Sequence, residues 1–302
     1  MKELSERQPI FVFGSPRSGT TLLQRFLDSY DDILIWGQQA GFLREFSAAF
    51  YKDSPARSRF KGIVPLQEVL RGAFPPSIAW MHWSGWEEWT GLFRDFLAAL
   101  FLPRGLSGKQ FWGFKEVEQM STPGDRTFEF LRHMYPNAIF VFIIRNPFNV
   151  LASRRKAYRI QTRSAFQKVC DEWACQNQAF WQWHRSGKAE SFWIVYEDFI
   201  KQRGEILKLI GRLGKTLMEK QAALLADPAA RNSSFGGDEA FNERWLTLPD
   251  HWLVLAFRRL AKLNQTLGYP APSISLGRRL KGDAVLRVSF LKQGILRIFK
   301  RA

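Results

Sequence analysis

Ile10-Phe11-Val12-Phe13-Gly14-Ser15-Pro16-Arg17-Ser18-Gly19-Thr20-Thr21-Leu22-Leu23 is the stretch that decides the architecture of this chain. The apolar run Ile10 to Phe13, bounded by Pro9 and Gly14, predicts a short buried strand. From Thr20 to Ser29, Leu22, Leu23, Phe26 and Leu27 fall on one face of a helix. A strand, a glycine loop and a helix therefore follow one another directly. Such a loop aims successive backbone N–H groups and a helix N-terminus at one point, which makes a pocket for phosphate oxygens. The hydroxyls of Ser18, Thr20 and Thr21 add donors. The two glycines have the spacing of a nucleotide-triphosphate loop, but Thr20 stands where that loop needs its lysine, and the cation has moved inside as Arg17. A triphosphate site without the lysine that reaches its β/γ-phosphates is a poor one, so a kinase or NTPase reading is weak.

Outward from this loop, further apolar runs alternate with helical periodicity. Strands are predicted at Ile33 to Trp36, Gln110 to Lys115, Ala138 to Ile144 and Phe192 to Tyr196. Helices are predicted after Asn146, at Ala165 to His184 and near Gly204 to Leu213. Asn146 is placed to cap its helix with Pro147 in the first helical position. This alternation predicts an α/β fold: a single domain with a mostly parallel central sheet flanked by helices, over residues 1–276. Residues 277–302 differ in composition and form a basic amphipathic C-terminal tail.

A second anion-binding segment sits at the predicted strand end, where Arg145 closes the run and Ser153 follows about two helical turns later. Ligands of open α/β sheets bind at that carboxyl edge, and arginine gives bidentate contacts to phosphate. With both segments in hand, the sequence resembles the family of sulfotransferases that use 3′-phosphoadenosine-5′-phosphosulfate (PAPS), in the style of its bacterial and Golgi members. Gly14 to Thr21 looks like the family's 5′-phosphosulfate loop, Ile144 to Ser153 like its 3′-phosphate segment, and Val195-Tyr196-Glu197-Asp198-Phe199 like its Tyr-Glu-Asp segment. The resemblance runs from about Pro9 to Phe199 with the motifs in order. It implies a P-loop-like fold and a PAPS cosubstrate that leaves as PAP. Ser15, Pro16, Arg17, Ser18, Gly19, Thr20 and Thr21 would hold the 5′ side, Arg145 and Ser153 the 3′-phosphate, and Tyr196 would lie near the adenine. A Tyr at this point is equally an ordinary core residue.

Sulfuryl transfer needs cations at the leaving group and a base for the acceptor's proton. Arg17 and Lys115 are the candidate cations. The base is harder to find. Where many relatives carry a Glu after the second strand, this chain has Gln38, and an amide does not accept a proton usefully. Glu116, in Gly113-Phe114-Lys115-Glu116, and His82, in the Trp-rich stretch Trp80 to Trp89, are the substitutes. The missing acid also keeps open a non-catalytic protein that binds nucleotide, polyanion or membrane on the same fold.

Charge narrows the partners. The formal net charge of +16 calls for an anionic partner, and the tail from Gly277 holds eight Lys/Arg against Asp283 alone. If residues 284–301 form one helix, Val288, Leu291, Ile295, Ile298 and Phe299 share a face, the pattern of peripheral membrane contact. Trp80, Trp83, Trp86 and Trp89 recur every third residue, which on a helix gives a drifting aromatic stripe. That stripe suits core packing or, without discriminating among them, a platform for a sugar, steroid or lipid; the expected acceptor is a hydroxyl, with a glycan or lipid as its candidate carriers. No nucleic-acid partner is expected. Cys170 and Cys175 sit on different faces of a predicted helix, without disulfide or metal spacing, and no metal is expected. The start lacks a signal-peptide apolar region and no apolar run is long enough to span a bilayer, which together predict a cytoplasmic protein.

Overall fold

The computed structural model describes residues 7–38, 41–57, 63–65, 81–83, 85–101, 108–117, 125–227, 244–269 and 277–285. Its elements, in chain order, are β1 (Gln8–Phe13), α1 (Thr20–Asp28), β2 (Ile33–Trp36), α2 (Phe42–Arg57), β3 (Ile63–Pro65), β4 (Met81–Trp83), α3 (Gly85–Phe101), β5 (Phe111–Glu116) and α4 (Thr127–Met134). Then follow β6 (Ile139–Ile144), α5 (Pro147–Ala157), α6 (Arg163–Arg185), β7 (Ser191–Val195), α7 (Tyr196–Phe199), α8 (Glu205–Arg212), α9 (Glu219–Ala226), a 3₁₀ turn at Arg244–Thr247 and α10 (Asp250–Thr266). Residues 277–285 are helical as well.

The main sheet is a single parallel one of five strands in the order β2-β5-β1-β6-β7, flanked by helices. Every residue of β6 is buried, as are five of the six in β1, so both faces of these strands are shielded from water. That is why these strands read as unbroken apolar runs rather than as alternating ones. β1 lies between β5 and β6, so the strand order reverses beside it. At such a reversal, the loops leaving the carboxyl ends of the two central strands open a crevice. Here those loops begin at Gly14 and Arg145.

Two compact units are distinguished within the chain. The first comprises Met1–Phe13, Leu23–Val141 and Ser186–Phe192, and the second Gly14–Leu22, Phe142–Arg185 and Trp193–Ala302. In the first, Phe11 stacks on Phe114 at 4.7 Å and meets Phe140 edge-on at 5.7 Å. A second aromatic group joins Phe46, Phe50, Phe93 and Phe130. The edge strand β2 is fastened to α1 by side chains: Gln24 Nε2 donates to the Ile35 carbonyl at 2.7 Å, and the Ile35 N–H donates to Asp28 Oδ1 at 2.6 Å. Burial raises the Asp28 carboxyl above its ordinary value, against the pull of that Ile35 hydrogen bond.

In the second unit α6 buries Phe166, Val169, Cys170, Trp173, Asn177, Phe180 and Trp183 along one side, at helical spacing. Cys175 lies on the exposed side, as the five-residue separation requires. Phe166 packs on Trp252 of α10 at 4.4 Å. Residues 277–285 dock on α10 through Arg278, which pairs with Asp250 at 2.5 Å, and through Asp283, which pairs with Arg258 at 2.7 Å.

The sequence expectations shift at several borders. β6 starts one residue later than expected and β7 ends at Val195, so Tyr196 opens a helical turn instead of closing a strand. The Trp-rich stretch is not one helix: Trp83 ends β4, whereas Trp86 and Trp89 lie on α3. There Trp86 packs on Phe50 and His133, and Trp89 on Phe93, so both belong to aromatic packing. Trp80 and residues 286–301 of the tail lie outside the described residues.

One strand glycine is dictated by backbone approach. Gly113 of β5 lies opposite Ile10 of β1, and a Cβ there would fall on the Ile10 carbonyl oxygen. Gly113→Ala is expected to cost on the order of 3 kcal/mol, read as a lower denaturant midpoint with an unchanged slope.

Candidate functional site

The loop between β1 and α1 carries two residues in the left-handed region, Arg17 at φ 72° and Gly19 at φ 102°. Glycine adopts this freely; for Arg17 it costs about 1–2 kcal/mol, which the surroundings must offset. The Ser18 N–H closes a turn onto the Ser15 carbonyl at 3.1 Å. A Cβ on Gly14 would stand 2.6 Å from Ser18 Oγ and 2.8 Å from the Ile143 carbonyl, and a Cβ on Gly19 would enter the Tyr196 ring. Both glycines are thus required by close approach. Ser15, Ser18 and Thr20 are buried, and Pro16, Arg17, Gly19 and Thr21 are half-buried. The Ser15 and Ser18 hydroxyls find no hydrogen-bond partner among the described residues.

The second segment is built by the turn out of β6. Asn146 Oδ1 accepts from the N–H groups of Phe148 at 3.0 Å and Asn149 at 3.5 Å, with Pro147 in the first helical position. This cap lets α5 start at once, leaving Arg145 on the strand's carboxyl edge. Arg145 is 3% exposed, and its guanidinium lies over the Tyr196 ring at 4.6 Å. Ser153 is buried two turns into α5.

The fold joins the two segments. Arg17 Nε donates to Ser153 Oγ at 3.0 Å, across 136 residues of chain, and Arg145 Nη1 reaches the Arg17 carbonyl at 3.5 Å. Arg17, expected to serve the 5′ side alone, is therefore tied to the hydroxyl expected on the 3′ side. Tyr196 is 1% exposed and sits beneath the assembly, with Gly19 at its edge and Arg145 over its face. Arg17, Arg145 and the Ser153 hydroxyl thus meet at the loop that leads into α1. This donor set fits oxyanions such as phosphate and sulfate.

The candidate catalytic groups other than Arg17, namely Lys115, Glu116 and His82, lie in the first unit. Lys115 and Glu116 end β5, opposite Val12 and Phe13, and strand alternation sends them to opposite faces of the sheet. Glu116 is 1% exposed, and its Oε1 accepts the Val117 N–H at 2.9 Å. Lys115 is half-buried; burial, and then Arg25 of α1, lower its proton affinity below the ordinary lysine value, while Glu116 partly restores it. His82 is on β4, opposite Val64 in a separate two-stranded parallel sheet. Gln38 is exposed, two residues beyond β2.

Sequence reasoning missed three contributors. The Trp245 N–H donates to Asn149 Oδ1 at 3.2 Å, and Tyr269 and Glu197 form a hydrogen-bonded pair behind Arg145. Glu197 lay inside a motif quoted for its tyrosine; Tyr269 and Trp245 carried no pattern at all.

The sulfotransferase family's sequence model matches residues 9–217, more than half of the chain, so this protein belongs to the sulfotransferase family of transferases. Among the solved structures that share its fold are two sulfotransferase domains. The sulfotransferase domain of the olefin synthase of Synechococcus PCC 7002 is 16% identical, with a TM-score of 0.56, over 88% of this chain and 97% of that one. The sulfotransferase domain of the curacin biosynthetic pathway is 15% identical, with a TM-score of 0.53, over 88% of this chain and 99% of that one. No curated protein sequence matches the chain.

The depressed Lys115 generates a stability prediction. A lysine whose folded value lies below its unfolded one opposes folding fully at lower pH, and the penalty fades as pH rises to the unfolded value. Lys115→Met is therefore expected to raise the unfolding midpoint near neutral pH, with the gain vanishing as pH approaches 10.5, the ordinary lysine value. Midpoints of both proteins measured across that range provide the check.

Proposed function

We propose that this sulfotransferase moves a sulfuryl group from PAPS to a hydroxyl acceptor. The observation that carries the reading is the junction of Arg17, Ser153 and Arg145 over the N-terminus of α1. A donor with anionic groups at both its 5′ and 3′ ends needs two cationic clusters held close together, and here one arginine spans both. The buried Ser15 and Ser18 hydroxyls suit the same ligand, since each has hydrogen-bonding capacity that no group among the described residues uses.

Bound at this site, PAPS supplies the sulfuryl group and is released as PAP. In this reading residues 15–21 grip the 5′-phosphosulfate through N–H groups and hydroxyls, and Arg145 and Ser153 hold the 3′-phosphate. Arg17 and Lys115 neutralise the charge that develops as the sulfur–oxygen bond to the phosphate breaks. Tyr196 supports the loop and Arg145 beneath the nucleotide. The acceptor's proton goes to Glu116 or His82, because Gln38 is an amide.

Thermal unfolding with PAP, and separately with ATP and magnesium, tests the nucleotide site. PAP at one hundred times its dissociation constant is expected to add about 2.7 kcal/mol. That raises the midpoint on the order of 5 °C, and Arg145→Ala is expected to abolish the rise. Stabilisation by ATP–magnesium alone would sink the reading.

A lipid-linked hydroxyl, rather than one on a free glycan, is favoured by the helix at residues 277–285. It exposes Leu280 (60%) and Val285 (47%) beside the exposed cations Arg279 and Lys281. Apolar and basic side chains sharing one exposed helix suit an anionic bilayer surface. The protein is expected to co-sediment with phosphatidylglycerol vesicles and not with phosphatidylcholine ones, and the double change Leu280→Ser, Val285→Ser to abolish this. Equal pelleting of variant and parent would remove the membrane from the proposal.

A further inference from the structure

Arg145 is flanked by two side chains to which the proposed chemistry gives no task. Tyr269, 7% exposed, lies just beyond α10. Its O–H stands 2.8 Å from Glu197 Oε2 and 3.2 Å from the Ile144 carbonyl oxygen, so its single proton is shared between two acceptors. The other oxygen of the same carboxylate, Glu197 Oε1, accepts the N–H of Asn146 at 3.1 Å.

The geometry is selective. The Ile144 carbonyl belongs to the peptide plane that precedes Arg145, and the Asn146 N–H to the plane that follows it. Each peptide unit is rigid and planar, so anchoring one atom in each restrains the two backbone dihedrals between them, those of Arg145. The guanidinium then has a defined origin from which to lie over Tyr196 and reach the Arg17 carbonyl. The effect extends to Ser153, because Asn146, held by Glu197 through its backbone, caps α5 with its own side chain. Burial and the neighbouring Glu197 carboxylate push the Tyr269 phenol well above its ordinary value, which keeps it a neutral donor.

We infer that Glu197 and Tyr269 are positioning residues that orient Arg145 and the start of α5, and thereby set the preference for a nucleotide with a 3′-phosphate over one with a 3′-hydroxyl. This rests on the proposed PAPS reading and adds to it the source of discrimination at the 3′ position.

The test is equilibrium binding of PAP and of adenosine 5′-monophosphate, which lacks the 3′-phosphate, to the parent protein and to Tyr269→Phe, Glu197→Gln and Arg145→Ala. The first two variants nearly preserve shape, and Glu197→Gln keeps an acceptor for the Asn146 N–H; unfolding midpoints without ligand report their folding. The parent is expected to prefer PAP, and Arg145→Ala to lose most of that preference. Tyr269→Phe and Glu197→Gln are each expected to weaken PAP by about tenfold, with the monophosphate changed by less than about twofold. An unchanged preference in both variants overturns the inference, as does parallel weakening of both ligands, the mark of general loosening. If the parent shows no preference, or Arg145→Ala keeps it, the 3′-phosphate assignment itself is wrong and the inference falls with it.

Discussion

The contact between Arg17 and Ser153 is the constraint on which the site depends. A loop between a strand and a helix can bind an anion by its backbone alone, but its cation then has no fixed direction. Here the left-handed backbone at Arg17 turns the side chain out of its own loop, and Ser153 Oγ receives it at 3.0 Å. The strain of that backbone is of the size one hydrogen bond to a charged group can offset. The arginine is therefore ordered by a residue far away in sequence, and each segment is complete only with the other.

Around that contact the structure reads as supporting layers. Tyr196 fills the space beneath Gly19 and Arg145. Glu197 and Tyr269 hold the backbone on either side of Arg145. Asn149, reached by the Trp245 N–H, draws the turn before α10 onto α5. Preorganisation of this kind matters for transfer chemistry, because donors fixed in advance need no reorganisation as charge moves to the leaving group.

Much of this was legible in the sequence, for definite reasons. β1 and β6 are buried on both faces, so their apolar runs were continuous and plain, and the Asn146-Pro147 pair marked the α5 start to the residue. Ser18, Gly19, Arg145 and Ser153 stood out as candidates because anion-binding loops demand particular residue types at short spacing. What could not be read was long-range. Nothing in the spacing of Arg17 and Ser153 foretold their contact, and Tyr269 lies in a segment without a motif. The Trp-rich stretch misled because a three-residue period fits one helix, whereas the chain changes from strand to helix between Trp83 and Trp86. Glu116 shows another limit: its place next to Lys115 in the sequence gave no sign that it is 1% exposed.

The fastening of Ile35 by Gln24 and Asp28 bears on how this protein behaves in a crowd of its own kind. An outer strand normally offers a ladder of amide and carbonyl groups onto which a foreign strand can be zipped, the first step toward uncontrolled association. On β2 the rung at Ile35 is already taken, its N–H by Asp28 and its carbonyl by Gln24. A newcomer would have to break two good hydrogen bonds to gain the same two. Two side chains of α1 thus occupy one rung of the outer strand, and that rung is closed to a foreign strand.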